Sequence, residues 1–289
     1  MSILVTGAAG TIGSLVVDGL AAAGAEIKAL VRRPGKRSFP TGVAQTVGDL
    51  TDVPSIRAAL SSVRTLFLLN AVTPDEVTQA LITLNLAREA GIERIVYLSV
   101  IHADKYTNVP HFTGKHTVER MIGSLNLPAT ILRPAYFMQN ERTVQQVIQG
   151  YGVYPMPIGS AGVAMVDTRD IADVAVAELL RRDAAPAPLP RVTLDVVGPE
   201  RVTGASAAKT WSEALGRDVV YGGDDVVAFE RQMASSAPAW LAYDMRLMMA
   251  GIQEYGMHGE ADAIERLQTI LGRPLRTYAN FVTESVAAA

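Results

Sequence analysis

Apolar stretches of strand length alternate with helical patterns through the first two thirds of the chain. "SILVTG" reads as a first strand, Thr11 to Ala23 as a helix, "EIKALVR" as a second strand and "VAQTVGD" as a short third. A helix near Val53 to Leu60 follows, then the strand "TLFLLN", a helix from about Pro74 to Ala90 and the strand "RIVYLSV". A helix over roughly Thr113 to Ser124 leads into the strand "ATILRP". Such alternation implies βαβ units and a parallel sheet with helices on both faces. The strands are almost unbroken apolar runs, as expected of a sheet buried on both sides.

The pattern then loosens. Residues 150–166 are rich in Gly and Pro, uncharged, and read as a loop. "VDTRDIADVAVAELLRR" reads as a helix started by Asp167 or Thr168. "PAPLP" marks a turn and "RVTLDVVG" a strand. The remainder is mostly helical, with Met233, Trp240, Tyr243, Met245, Met248 and Met249 supplying apolar content. The expected fold is α/β, a doubly wound parallel sheet with a smaller, mostly helical C-terminal lobe. Residues 1–150 form the first domain, with 164–197 returning to it, and 151–289 form the second lobe.

Composition narrows the function. The 289 residues are 49% hydrophobic and 19% charged, enough for a large core. The formal charge is −3 and no basic run occurs, which argues against a nucleic-acid partner. Without cysteine there is no disulfide, thiolate nucleophile or Cys-ligated metal. His102, His116 and His258 lack companions at metal spacing, so no metal is expected. "MSILVTG" is unlike a secretory leader, and residues 143–166, though uncharged, are broken by Gln, Gly and Pro. A soluble, cytoplasmic protein with no membrane segment is expected.

The chemistry starts at "VTGAAGTIG". Gly7, Gly10 and Gly13 stand where the first strand turns into the first helix. In a dinucleotide-binding (Rossmann) turn the first glycine makes the tight turn and the second lets the backbone approach a pyrophosphate. The third lets the helix pack on the strand. Backbone N–H groups at Thr11 and Ile12 would then face phosphate. The second strand ends in "VRRP": Arg32 and Arg33 stand where an acidic residue would bind a free ribose 2′-hydroxyl. Guanidinium forks there suit the 2′-phosphate of NADP(H), the alternative being a pair of solvated arginines. Asp49 ends the third strand, on the adenine side of such a site or as a turn or cap residue. Asn70 in "LLNAV" falls beyond a strand's carboxyl end, where open α/β sheets bind ligands.

Taken in order, "VTGAAGTIG", "VGDLTD", "PHFTGKHTVER", "LRPAYFMQN", "VDTRDIADVA" and "IERLQTILGRPLRTYANFVTE" resemble the NmrA-like group of atypical short-chain dehydrogenases/reductases over nearly the whole chain. The resemblance implies a Rossmann domain, a smaller C-terminal lobe and NADP(H). Members of that group include quinone and triphenylmethane-dye reductases, and also NADP(H)-sensing regulators without demonstrated turnover.

Typical reductases of that wider superfamily use a Tyr and, four residues on, a Lys. "HFTGK" keeps Lys115 but puts His111 in the Tyr position. Lys115 is the candidate for holding the nicotinamide ribose, or is an exposed helix lysine. His111 has three readings: proton donor, helix cap or passive wall. Ser99 approximates the superfamily's serine position, as a hydrogen-bonding catalytic residue or a cap. Tyr136, Phe137 and Asn140 follow the sixth strand and are expected toward the nicotinamide end. Tyr151, Tyr154 and Met156 would add a further substrate wall. The expected function is hydride transfer from NADPH to a small conjugated acceptor: a quinone, an enone or a cationic dye. The alternative is an NADP(H)-sensing regulator with a protein partner, and a homodimer is compatible with either.

Overall fold

The computed structural model describes residues 2–35 and 37–288. Strands β1 (Ser2–Val5), β2 (Ile27–Val31) and β3 (Ala44–Val47) open the fold, with α1 (Thr11–Ala22) between the first two. There follow α2 (Val53–Ala59), β4 (Val63–Leu68), α3 (Glu76–Glu89), β5 (Ile95–Leu98), α4 (Pro110–Ser124) and β6 (Ala129–Pro134). A 3-10 turn at Met138–Thr143 leads to α5 (Gln145–Tyr151), β7 (Val153–Tyr154), α6 (Thr168–Ala184) and β8 (Val192–Val196). The chain ends with α7 (Gly204–Leu215), β9 (Val220–Tyr221), α8 (Val226–Met233), α9 (Ala239–Tyr255), α10 (Ala263–Leu271) and α11 (Tyr278–Ala287).

Seven strands form one sheet in the order β3-β2-β1-β4-β5-β6-β8, and β3 through β6 of that order run parallel. This is the doubly wound Rossmann arrangement, and strand order reverses between β1 and β4. β7 lies inside the stretch read as a loop, paired in parallel with β9.

The chain divides into two compact units. One holds Met1–Val100, Gly114–Arg133 and Arg169–Leu194; the other holds Ile101–Thr113, Pro134–Thr168 and Asp195–Ala289. The expected boundary at 150 therefore differs from the packing: Ile101–Thr113 and Pro134–Thr168 belong to the second unit. The first unit buries its sheet on both sides. Leu4, Leu30, Leu66 and Leu68 pack with Ile56, Leu84, Val118 and Ile122 of the flanking helices. α1 lies so close to α6 that a Cβ on Gly19 would stand 2.9 Å from the Val176 side chain. Arg182 is fully buried, donating to Thr130 Oγ1 and to the carbonyls of Leu189 and Pro190, which holds the "PAPLP" turn.

The second unit contains a buried carboxylate, Glu141, with three donors. The Tyr154 hydroxyl reaches it at 2.6 Å, Tyr278 at 2.7 Å and the Trp211 indole N–H at 3.0 Å. Burial raises Glu141 to about 7, against the opposing pull of those donors. A carboxyl that holds its proton more tightly folded than unfolded favours the folded state at low pH. Its stabilising contribution is complete below the ordinary value of 4.5 and is lost as pH rises to about 7. The loss is of the order of 3 kcal/mol. Urea unfolding at a series of pH values should show this decline, and Glu141→Gln should flatten it. An unchanged slope in the variant would remove Glu141 as its cause.

The glycines of the first turn give a second test. A Cβ on Gly13 would lie 2.2 Å from the Gly7 carbonyl oxygen, whereas one on Gly123, also helical, meets nothing within 4 Å. Gly123→Ala should raise stability by up to about 1 kcal/mol, the ordinary helix-propensity gain. Gly13→Ala should instead cost about 2 kcal/mol or more, as overpacking does. Thermal melts showing the same sign for both variants would contradict this packing.

Candidate functional site

The first unit builds its site at the carboxyl ends of β1, β2 and β4. Gly7 takes φ +60°, the left-handed region, and its Cα sits against Leu69: a Cβ there would lie 3.0 Å from the Leu69 side chain. The Thr6 hydroxyl donates to the Leu69 carbonyl and accepts from the Leu69 N–H at 2.8 Å, tying the two strand ends together. Gly10 is the N-cap of α1, and this helix has no capping side chain and no acidic residue in its first turn. The N–H groups of its first turn, including Thr11 and Ile12, are therefore a positive terminus available to an anion.

Asn70 follows directly. It is buried, its amide nitrogen donates to Gln79 at 3.4 Å, and its Oδ1 has no hydrogen-bond partner. Such an orphaned acceptor is costly unless something else satisfies it. Gln79 stands one turn from Glu76 at the start of α3, and Glu76 Oε2 lies 3.7 Å from Lys115 Nζ, both groups buried. Gly114 makes that approach possible: a Cβ there would come 2.9 Å from Val77 and 3.2 Å from Glu76 Oε1. The glycine turn, Asn70, the first turn of α3 and Lys115 thus form one continuous set of contacts.

Arg32 and Arg33 are exposed immediately after β2. Asp49 is exposed and accepts from the Thr51 hydroxyl at 2.6 Å and the Thr51 N–H at 2.9 Å. Those bonds, with a smaller effect from Arg32, hold it below the usual carboxylate value. Its geometry is that of a turn residue, and Asp52, not Asp49, caps α2.

Ser99 requires a correction. It is buried, and its hydroxyl donates to Glu119 Oε1 at 2.5 Å. Glu119 is in turn ion-paired with Arg133 at 2.5 Å. The hydroxyl serves this internal network, so the expected catalytic role is not supported.

In the second unit, α4 begins at Pro110, earlier than the sequence pattern suggested, so His111 is helical and shares one face with Lys115 four residues on. His111 Nδ1 lies 2.6 Å from Asp244 Oδ1, and its backbone N–H donates to Asp244 Oδ2 at 3.3 Å. Asp244, on α9, is 1% exposed. Its carboxylate serves the helix start as a cap would, and engages the imidazole as well. The Phe112 ring meets the imidazole edge-on at 4.7 Å.

Tyr136 is buried, and burial first, then the Glu141 charge, push its hydroxyl above the ordinary value, so it remains a neutral phenol bonded to Asn140. Phe137 is half-buried and bridges to Val166 through its backbone. Met156 is buried. Tyr154 needs correction as a pocket wall: it is 0% exposed and bonded to Glu141. Tyr151 is 81% exposed, a surface residue at the end of α5.

The sequence reading missed Glu76, Gly114, Asp244 and Glu141. Asp244 carried a signal, a lone acid within the apolar "AWLAYDMRLMM". Among the described residues no group of His, Cys, Asp and Glu could hold a metal, and no helix is long and apolar enough to cross a membrane.

Known proteins agree with this architecture. The NAD(P)H azoreductase of Xenophilus azovorans is 31% identical over 293 residues, covering 99% of this chain and 98% of its own. The Escherichia coli NADPH-dependent quinone oxidoreductase QOR2, solved with NADPH, superposes with a TM-score of 0.85 at 22% identity, over 98% of this chain and 99% of its own. The Citrobacter sp. triphenylmethane reductase, solved with NADP(H), gives 0.83 at 24% identity, over 98% and 100%. The family model described as NmrA-like matches residues 1–280, and the chain belongs to the NmrA-like family.

Proposed function

We propose that this oxidoreductase uses NADPH to reduce a flat, conjugated small molecule, such as a quinone, an enone, an azo compound or a cationic dye. The observation that carries the reading is the uncapped N-terminus of α1, seated by Gly7 and Gly13 beside the orphaned Asn70 Oδ1. The full-length relationship to an NAD(P)H azoreductase supports it. When bound, NADPH supplies the hydride. The N–H groups of Thr11 and Ile12 would hold its pyrophosphate, and Arg32 and Arg33 its 2′-phosphate. Lys115 would hold the nicotinamide ribose. Its ammonium has three protons, and the Glu76 carboxylate engages it from one side. The Asn70 amide is a further candidate cofactor contact on the first unit, and Tyr136 and Phe137 are the candidates on the second. Asn140 and Met156 are the remaining candidates for the acceptor.

The acceptor class follows from the residue in the Tyr position. A simple ketone develops alkoxide charge and needs a strong positioned acid. A hydroquinone anion is delocalised, and a triarylmethyl cation accepts hydride without any proton. The latter two depend less than a ketone on a positioned proton donor, and the Tyr that serves ketones is absent from its position in this chain. Anaerobic NADPH oxidation should be at least about tenfold faster with conjugated acceptors than with aliphatic ketones, about 1.4 kcal/mol in the barrier. Absence of turnover with quinones, enones, azo compounds and cationic dyes alike would end the reductase reading.

Cofactor choice has its own test. NADPH should bind at least about tenfold more tightly than NADH. Replacing Arg32 and Arg33 with Ala should erase most of that preference in calorimetry. Equal affinities in the unmutated protein would remove the arginines from the 2′-phosphate.

A further inference from the structure

The His111–Asp244 pair lies outside everything the cofactor reading needs. Pro110 has no N–H, so the next orphaned donor of α4 is the His111 N–H, and Asp244 Oδ2 receives it at 3.3 Å. A capping carboxylate needs no more than that. Here the second oxygen is committed to the imidazole at 2.6 Å, with His111 only 9% exposed and Asp244 1% exposed. The Phe112 edge fixes the ring from another side. A buried carboxylate on Nδ1 selects one tautomer and one ring plane, and directs Nε2 away from itself.

We propose that Asp244 is a positioning residue that makes His111 Nε2 the proton donor to the reduced acceptor. This rests on the reductase reading above. When hydride arrives at a quinone, an enone or an azo compound, two electrons enter the conjugated system and an oxygen or nitrogen becomes anionic. The imidazolium Nε2–H bond breaks and an O–H or N–H bond forms on the acceptor. The electron pair stays on Nε2, and the neutral ring keeps its Nδ1 proton on Asp244. Water returns the lost proton before the next turnover. A triarylmethyl cation is neutralised by hydride alone and skips the step, so two acceptor classes separate proton donation from everything else.

Asp244→Asn retains the size and an oxygen for the helix cap while removing the carboxylate. It should lower kcat for a quinone relative to kcat for a triarylmethyl dye by about tenfold or more, a part of the roughly 10²–10⁴-fold that general acids supply. His111→Asn should lower the same ratio. A merely structural Asp244 would depress both rates together, or neither, and either result would overturn the proposal. An unmutated protein that reduces neither substrate would fail at the earlier step, the reductase reading itself, and take the proposal with it.

A second readout needs no cofactor. In protein with 15N-labelled histidine, the His111 signal can be assigned among four histidines by its loss in His111→Asn. At alkaline pH the neutral ring should carry its proton on Nδ1, with Nε2 bare, and Asp244→Asn should shift the population toward the Nε2–H form. A neutral His111 protonated on Nε2 in the unmutated protein would contradict the role given to Asp244.

Discussion

The contact between Gly13 and the Gly7 carbonyl is the constraint on which the first unit's site depends. α1 can begin where it does only because residue 13 has no Cβ, which would otherwise stand 2.2 Å from that oxygen. Gly7 turns the chain through a left-handed conformation to make the approach. The Thr6 hydroxyl then pins the turn to Leu69, beside the unpartnered Asn70 Oδ1. Three glycines and one threonine thereby convert a strand–helix junction into a surface of unpaired donors next to an unpaired acceptor. That polarity is what a dinucleotide can satisfy.

A related principle governs two of the basic side chains of α4. Lys115 meets Glu76 and His111 meets Asp244, and in each pair both groups are buried. A buried charge is costly without a partner, and severing a buried pair costs more than the pair contributes. The two carboxylates come from different elements, the first turn of α3 and the middle of α9. One helix therefore carries two polar side chains whose positions are each set from outside it. Gly114 between them admits α3 closely enough for the first pairing.

The fold was largely legible because its signals are local. Strands of four to six residues, helices between them and glycines at the first turn all lie within short windows, and all seven strands of the sheet appear at the stretches that predict them. The placement of Ile101–Thr113 and Pro134–Thr168 in the second unit was not legible, since it depends on where they pack. The site divides the same way. Gly7, Gly10 and Gly13 declare themselves by spacing. The partners that decide what Ser99, Tyr154 and His111 do lie 20, 13 and 133 residues away. Ser99 and Tyr154 look chemically equipped in sequence, yet Glu119 and Glu141 absorb their hydroxyls.

That contrast also says what makes a polar side chain a candidate for chemistry. Ser99 has one hydroxyl proton, and Glu119 takes it. Tyr154 is in the same position with Glu141. Both are poor donors to a ligand, because donation would strip a buried carboxylate of a hydrogen bond. Imidazole differs in having two nitrogens. A carboxylate on Nδ1 leaves Nε2 its own chemistry, and the bond that would immobilise a hydroxyl orients a histidine instead. Replacing a phenol by His111 thus changes more than acidity: it allows one side chain to be anchored by a buried acid and still present a proton to something else.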